Sequence, residues 1–138
     1  MARPRIRLGN DHAWLELYQT AEDNETGEEN WQVTADWCSW MTAAFPAHLS
    51  TAEASDFAAR MLAHLRAPSP SRFSAALTPG RNNPLTLTAE PVGDGFAFGV
   101  YLTPHGDDSV CHQQMEINPI DTTELLDLFD ALQASLAL

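Results

Sequence analysis

Residues 85–102 read Leu85-Thr86-Leu87-Thr88-Ala89-Glu90-Pro91-Val92-Gly93-Asp94-Gly95-Phe96-Ala97-Phe98-Gly99-Val100-Tyr101-Leu102, and two arms of period two meet there at a turn. In the first arm Leu85, Leu87 and Ala89 alternate with Thr86, Thr88 and Glu90. In the second, Phe96, Phe98, Val100 and Leu102 alternate with Ala97, Gly99 and Tyr101. Successive side chains of a strand point to opposite faces, so each arm offers one apolar face and one polar or small one. Gly93-Asp94-Gly95 supplies the reversal. The stretch predicts a β-hairpin with one buried face, and with it an antiparallel sheet.

Further strand patterns flank this hairpin. Trp31, Val33, Ala35 and Trp37 alternate with Gln32, Thr34, Asp36 and Cys38, and a strand from Trp40 to Ala47 follows, with Pro46 suited to an edge because it lacks an N–H. Ile6 to Leu8 and Ala13 to Tyr18 read as two short strands or one bent one, separated by Gly9-Asn10-Asp11. Arg72 to Leu77 and Ser109 to Asn118 are bounded by Gly, Pro, Asn or Asp clusters and read as strands too. Two helices interrupt the series. Ser50-Thr51-Ala52-Glu53 is a capping box that opens a run with Phe57, Ala58, Met61, Leu62 and Leu65 at helical spacing, and Pro68 and Pro70 stop it. Asp121-Thr122-Thr123-Glu124 opens another, with Leu125, Leu128, Phe129, Leu132 and Leu136 on one stripe.

The expected order is βββ-α-ββββ-α. Connections this short exclude parallel crossovers, so the expectation is a single α+β domain over residues 1–138, with an antiparallel sheet of about six or seven strands and two amphipathic helices on one face. The two halves, each a set of strands followed by a capped helix, match loosely. At 138 residues, 44% hydrophobic and 19% charged, the chain has the size and composition of one self-folding domain.

Charge narrows the partners. The formal net charge is −12, all seven basic residues are Arg, and Arg3, Arg5 and Arg7 crowd the N-terminus. Ten acidic residues and no basic one lie between Leu8 and Ala59, and nine acidic residues with no basic one lie from Asn82 onward. An extended negative field repels phosphate backbones and anionic lipid and speeds encounter with cationic proteins, so neither nucleic acid nor membrane is an expected partner. No run of 18 apolar residues occurs, and Gly9-Asn10-Asp11-His12 breaks the basic N-terminus before any signal-like apolar stretch; a cytoplasmic protein is expected. In that setting Cys38 and Cys111, both in strand-like segments, are expected as free buried thiols.

Chemistry-bearing patterns are sparse. His105, Asp107, Asp108, Cys111 and His112 have metal-ligand side chains at a spacing that matches no zinc pattern. Cys38 with a histidine, or Ser39 beside Asp36, are the imaginable nucleophile pairs, but nothing selects either, and no phosphate-cradling or nucleophile-elbow pattern occurs. No catalytic residue, metal or cofactor is therefore assigned, and the expectation is a non-enzymatic protein.

Binding features are clearer. Glu22, Asp23, Glu25, Glu28 and Glu29 fall within eight residues of a connection that contains no core-forming side chain, and Asp107 and Asp108 sit on another polar turn. Among the tryptophans, Trp31 and Trp37 share parity with Val33 and Ala35 and belong under the helices, whereas Trp40 has the opposite parity and is the candidate exposed anchor, with Trp14 behind it. These acids and Trp40 form the candidate partner-binding set.

The segments Trp14-Leu15-Glu16-Leu17, Trp31-Gln32-Val33-Thr34-Ala35, Leu49-Ser50-Thr51-Ala52-Glu53-Ala54, Leu85-Thr86-Leu87-Thr88 and Gln113-Gln114-Met115-Glu116-Ile117, followed by a Leu-rich terminal helix, occur in an order that resembles the small bacterial domains grouped with the WapI-type immunity proteins and their uncharacterised actinobacterial relatives. The resemblance spans nearly the whole chain and rests on element order and apolar positions. It implies a non-enzymatic protein that protects its producer by binding and blocking a toxin, many of which are basic nucleases. No family contact residue carries over. The alternative expectation is a small-ligand-binding domain or enzyme with a pocket between sheet and helices, near Trp40, Cys38 and His112.

Overall fold

The structure, a computed structural model, describes residues 3–22, 29–79, 83–104 and 113–137. The chain runs β1 (Arg5–Gly9), β2 (Ala13–Glu22), β3 (Glu29–Trp37), β4 (Met41–Leu49), α1 (Thr51–Leu65), β5 (Phe73–Ala76), β6 (Leu85–Val92), β7 (Gly95–Leu102), β8 (Gln113–Asp121) and α2 (Thr122–Leu136). The α+β class and the antiparallel pairing stand as expected. The single sheet of six or seven strands does not: there are two four-stranded meanders, β1-β2-β3-β4 and β5-β6-β7-β8, each followed by a helix of 15 residues. The order is thus ββββ-α-ββββ-α. α1 stands between β4 and β5 in the chain, and each of those strands pairs only within its own half.

Local chemistry explains the element bounds. Gly9, at φ +109°, turns β1 into β2, and a Cβ there would lie 2.1 Å from the Ala13 carbonyl oxygen; of the two readings, two separate strands stand, paired as a hairpin. Gly93, at φ +59°, and Asp94 form the two-residue link of the 85–102 hairpin, with Val92 opposite Gly95. Pro46 lies in β4, which pairs only with β3, so its missing N–H disrupts no ladder. Pro119 falls where the β7–β8 register slips between Phe96 and Phe98. Ser50 caps α1 with both bonds of the capping box, its hydroxyl accepting from the Glu53 N–H at 3.1 Å and its own N–H donating to Glu53 Oε1 at 2.9 Å. At α2 the Asp121-x-x-Glu124 pattern gives a shorter cap than the one at Ser50: Asp121 accepts from the N–H of Thr123. Asp94 adds a tie from the hairpin turn, its carbonyl accepting from the N–H and hydroxyl of Thr122.

One core joins both halves. The inward parity of β1 to β4 supplies Leu8, Leu15, Trp31, Val33 and Leu49, that of β5 to β8 supplies Phe73, Leu87, Phe98, Val100 and Ile117, and all belong to one buried cluster with the helices. Phe57 of α1 meets Phe129 of α2 edge-on, with centroids 6.3 Å apart at 65°, and Arg66 reaches Asp130 at 2.7 Å across the same helix pair. Arg60 anchors α1 to the second sheet by donating to the Ala76 carbonyl at 2.8 Å, and His64 stacks on Phe73 at 4.4 Å. Where both sheets and both helices meet, between Leu8, Leu17, Leu87, Phe57 and Phe129, the remaining cavity is about 10 Å³, at most the room of one water.

Candidate functional site

The β3–β4 turn holds an unusual backbone. Cys38 and Ser39 adopt φ of +55° and +63°, the left-handed region that side chains with a Cβ avoid, and they are consecutive. The turn is held by the Trp40 N–H donating to the Trp37 carbonyl at 3.2 Å and the Ser39 N–H donating to Asp36 Oδ1 at 2.9 Å, while the Cys38 N–H donates to the carbonyl of His12. Its effect is to lift Trp40 out of the sheet: the residue is 70% exposed, and its ring lies 4.8 Å from that of half-buried Trp37. Trp40 is exposed, as its parity suggested, although it belongs to the turn and the strand begins one residue later. Cys38 is a correction: its thiol is free and exposed, because the turn takes it out of the strand. Left-handed backbone at residues other than glycine is strained, and it is found both in tight hairpin turns and at functional sites.

A second feature lies on the outward face of the second sheet. An open hollow of about 710 Å³ runs over Thr88 and Glu90 of β6, Ala97, Gly99 and Tyr101 of β7, and Gln114, Glu116 and Asn118 of β8, with Arg72 before β5 and Trp37 of the first sheet beside it. The register fixes its plan. Gly99 lies between Thr88 and Glu116, Ala97 lies opposite Glu90, and Tyr101 lies between Thr86 and Gln114. The floor is low because the two central side chains are a methyl group and a hydrogen atom. Neither Glu90 nor Glu116 forms an ion pair with a described residue. Trp37 is the link between the two features, lining the hollow while its ring contacts Trp40.

Of the expected partner-binding set, the described members Glu22, Glu29 and Trp40 are not gathered in one place. Glu22 and Glu29 pair with each other where β2 meets β3, and Trp40 follows the other end of β3. Nine strand residues separate those ends, about 26 Å. Asp23, Glu25, Glu28, Asp107 and Asp108 lie outside the described residues, as do His105, Cys111 and His112. Among the described residues, no group of three or more His, Cys, Asp or Glu converges as a metal site would require. Ser39 meets Asp36 through its backbone N–H, and among the described residues no hydrogen bond joins its hydroxyl to that carboxylate. Between the sheets and the helices the described residues enclose the 10 Å³ cavity, and His112, expected beside a pocket there, lies outside them. Sequence reasoning missed the hollow, and the one signal for it was a glycine in the middle of a strong strand.

No family model, curated protein or solved structure matches this chain. No helix among the described residues is long and apolar enough to cross a membrane.

Proposed function

We propose that this chain is a non-enzymatic binding module that engages a cationic protein, acting in the manner of an immunity protein that blocks a basic toxin. The observation that carries the reading is the tryptophan pair: a turn held in left-handed backbone presents Trp40 to solvent against Trp37, beside an open, carboxylate-flanked hollow. Exposed tryptophans with a polar rim are the usual anchors of protein interfaces, since a rigid ring buries a large area at small entropic cost. The net charge of −12 supplies steering toward a basic partner. The acidic connection between β2 and β3 acts at longer range from the far end of the sheet and contributes to encounter rather than contact. An open sheet face suits a partner surface better than a small molecule, which binds where it can be largely enclosed.

Co-expression provides the test. A basic toxin encoded beside this gene should arrest growth alone, growth should return with the wild-type chain, and Trp40→Ala should weaken the rescue while leaving the protein folded. Full rescue by Trp40→Ala would remove the turn from the contact surface, and no rescue by the wild type would refute the immunity reading for that toxin.

A further inference from the structure

We infer that the bare floor at Ala97 and Gly99 seats an arginine side chain of the basic partner. This rests on the proposed cationic partner and names the group it inserts. The starting point is that Gly99 is not required by the fold. Its φ lies outside the left-handed region, and a Cβ built on it meets nothing closer than Thr88, at 3.9 Å, an ordinary contact. A glycine inside a strand weakens it relative to alanine and commonly marks a place where another group comes close to the backbone. By contrast, a Cβ on Gly95 of the same strand would sit 2.1 Å from the Ile120 carbonyl oxygen, so that glycine is explained by packing.

What surrounds the floor defines the occupant. Glu90 stands opposite Ala97 on β6 and Glu116 opposite Gly99 on β8, so the two carboxylates face each other diagonally across β7, with backbones about 12 Å apart. An ammonium group is a compact point charge and reaches one of them. A guanidinium is planar, lies flat on a floor of one methyl group and one hydrogen atom, and directs N–H donors toward both sides at once. Tyr101 and Trp37 bound the same hollow and offer aromatic faces on which guanidinium groups stack. Extending the β5–β6 register from Phe73 and Ala89 places Arg72 beside Glu90, where it competes for that carboxylate. Glu116 has no cationic residue among the hollow's lining on its own strand or on β7.

The test uses two short probes, acetyl-Gly-Arg-Gly-Arg-Gly-amide and its Lys counterpart, titrated at low salt into the isotopically labelled full chain. The Arg peptide should move the amide signals of Ala97, Gly99 and Glu116 and bind more tightly than the Lys peptide. Gly99→Val should retain the spectrum elsewhere and lose affinity roughly tenfold, as does removal of one charge-assisted hydrogen bond. Gly99→Ala is the milder companion should valine disturb the sheet, and Arg72→Gln should tighten binding by removing the competing positive charge beside Glu90. If the Arg peptide perturbs other acidic surfaces and both Gly99 variants bind as the wild type does, the seat is refuted while a cationic partner stands. If neither peptide moves any signal, both are refuted.

Discussion

Replacing Ser39 by glycine should make this protein more stable, and the size of the gain follows from the β3–β4 turn. Ser39 has φ +63°, a conformation that costs an L-residue roughly 1–2 kcal/mol relative to right-handed backbone. Glycine removes that cost and returns roughly 0.5–1 kcal/mol of it as extra freedom in the unfolded chain. The bond from residue 39 to Asp36 is made by the backbone N–H and survives the change, and Ser39 is exposed, so little packing is lost. The balance is a gain of about 0.5–1 kcal/mol, which for a domain of 138 residues raises Tm by about 2–4 °C. Calorimetric unfolding of the two proteins at one scan rate measures this. An unchanged or lower Tm would mean that residue 39 is not left-handed, and the account of how Trp40 is presented would fall with it.

Further outcomes follow from the core and the charge. Phe129→Ala should cost about 3–5 kcal/mol by denaturant titration, because the ring is fully buried and meets Phe57 where both sheets and both helices converge; a loss below 1 kcal/mol would contradict the single shared core. Neutralising Glu22, Asp23, Glu25, Glu28 and Glu29 together should slow association with a basic partner and flatten its salt dependence, leaving Tm within a few degrees. Stopped-flow rates equal to wild type at both low and high salt would remove that connection from the steering surface. A double-mutant cycle on Arg66 and Asp130, both about half exposed, should give a coupling below about 1 kcal/mol despite the 2.7 Å separation.

What could be read from residues alone was what local periodicity and local hydrogen bonding decide. β7 occupies the expected Gly95–Leu102, the capping box at Ser50 forms as written, and Trp31 is buried with the parity of Val33 and Ala35. The division into two sheets was not legible, because alternation shows that β4 and β5 are strands but says nothing of which neighbour each one pairs with. Cys38 was misplaced because alternation continues through it in the sequence while the backbone leaves the strand after Trp37. The hollow was hidden for a related reason. Its lining is spread from Arg72 to Asn118, each residue an ordinary outward polar or small side chain, and only the register brings Gly99 between Thr88 and Glu116. The acidic connection was conspicuous in sequence, yet it joins the opposite end of β3 from Trp40.

The most direct measurement of the central claim is comparative capture from cells that encode this protein, with wild type and Trp40→Ala as baits, each washed at low and high salt and read by mass spectrometry. A cationic partner held through the tryptophan pair predicts a strongly basic protein retained by the wild type, released at high salt and depleted from the Trp40→Ala sample. A retained protein that is acidic or neutral, or one held equally by both baits at high salt, would contradict it.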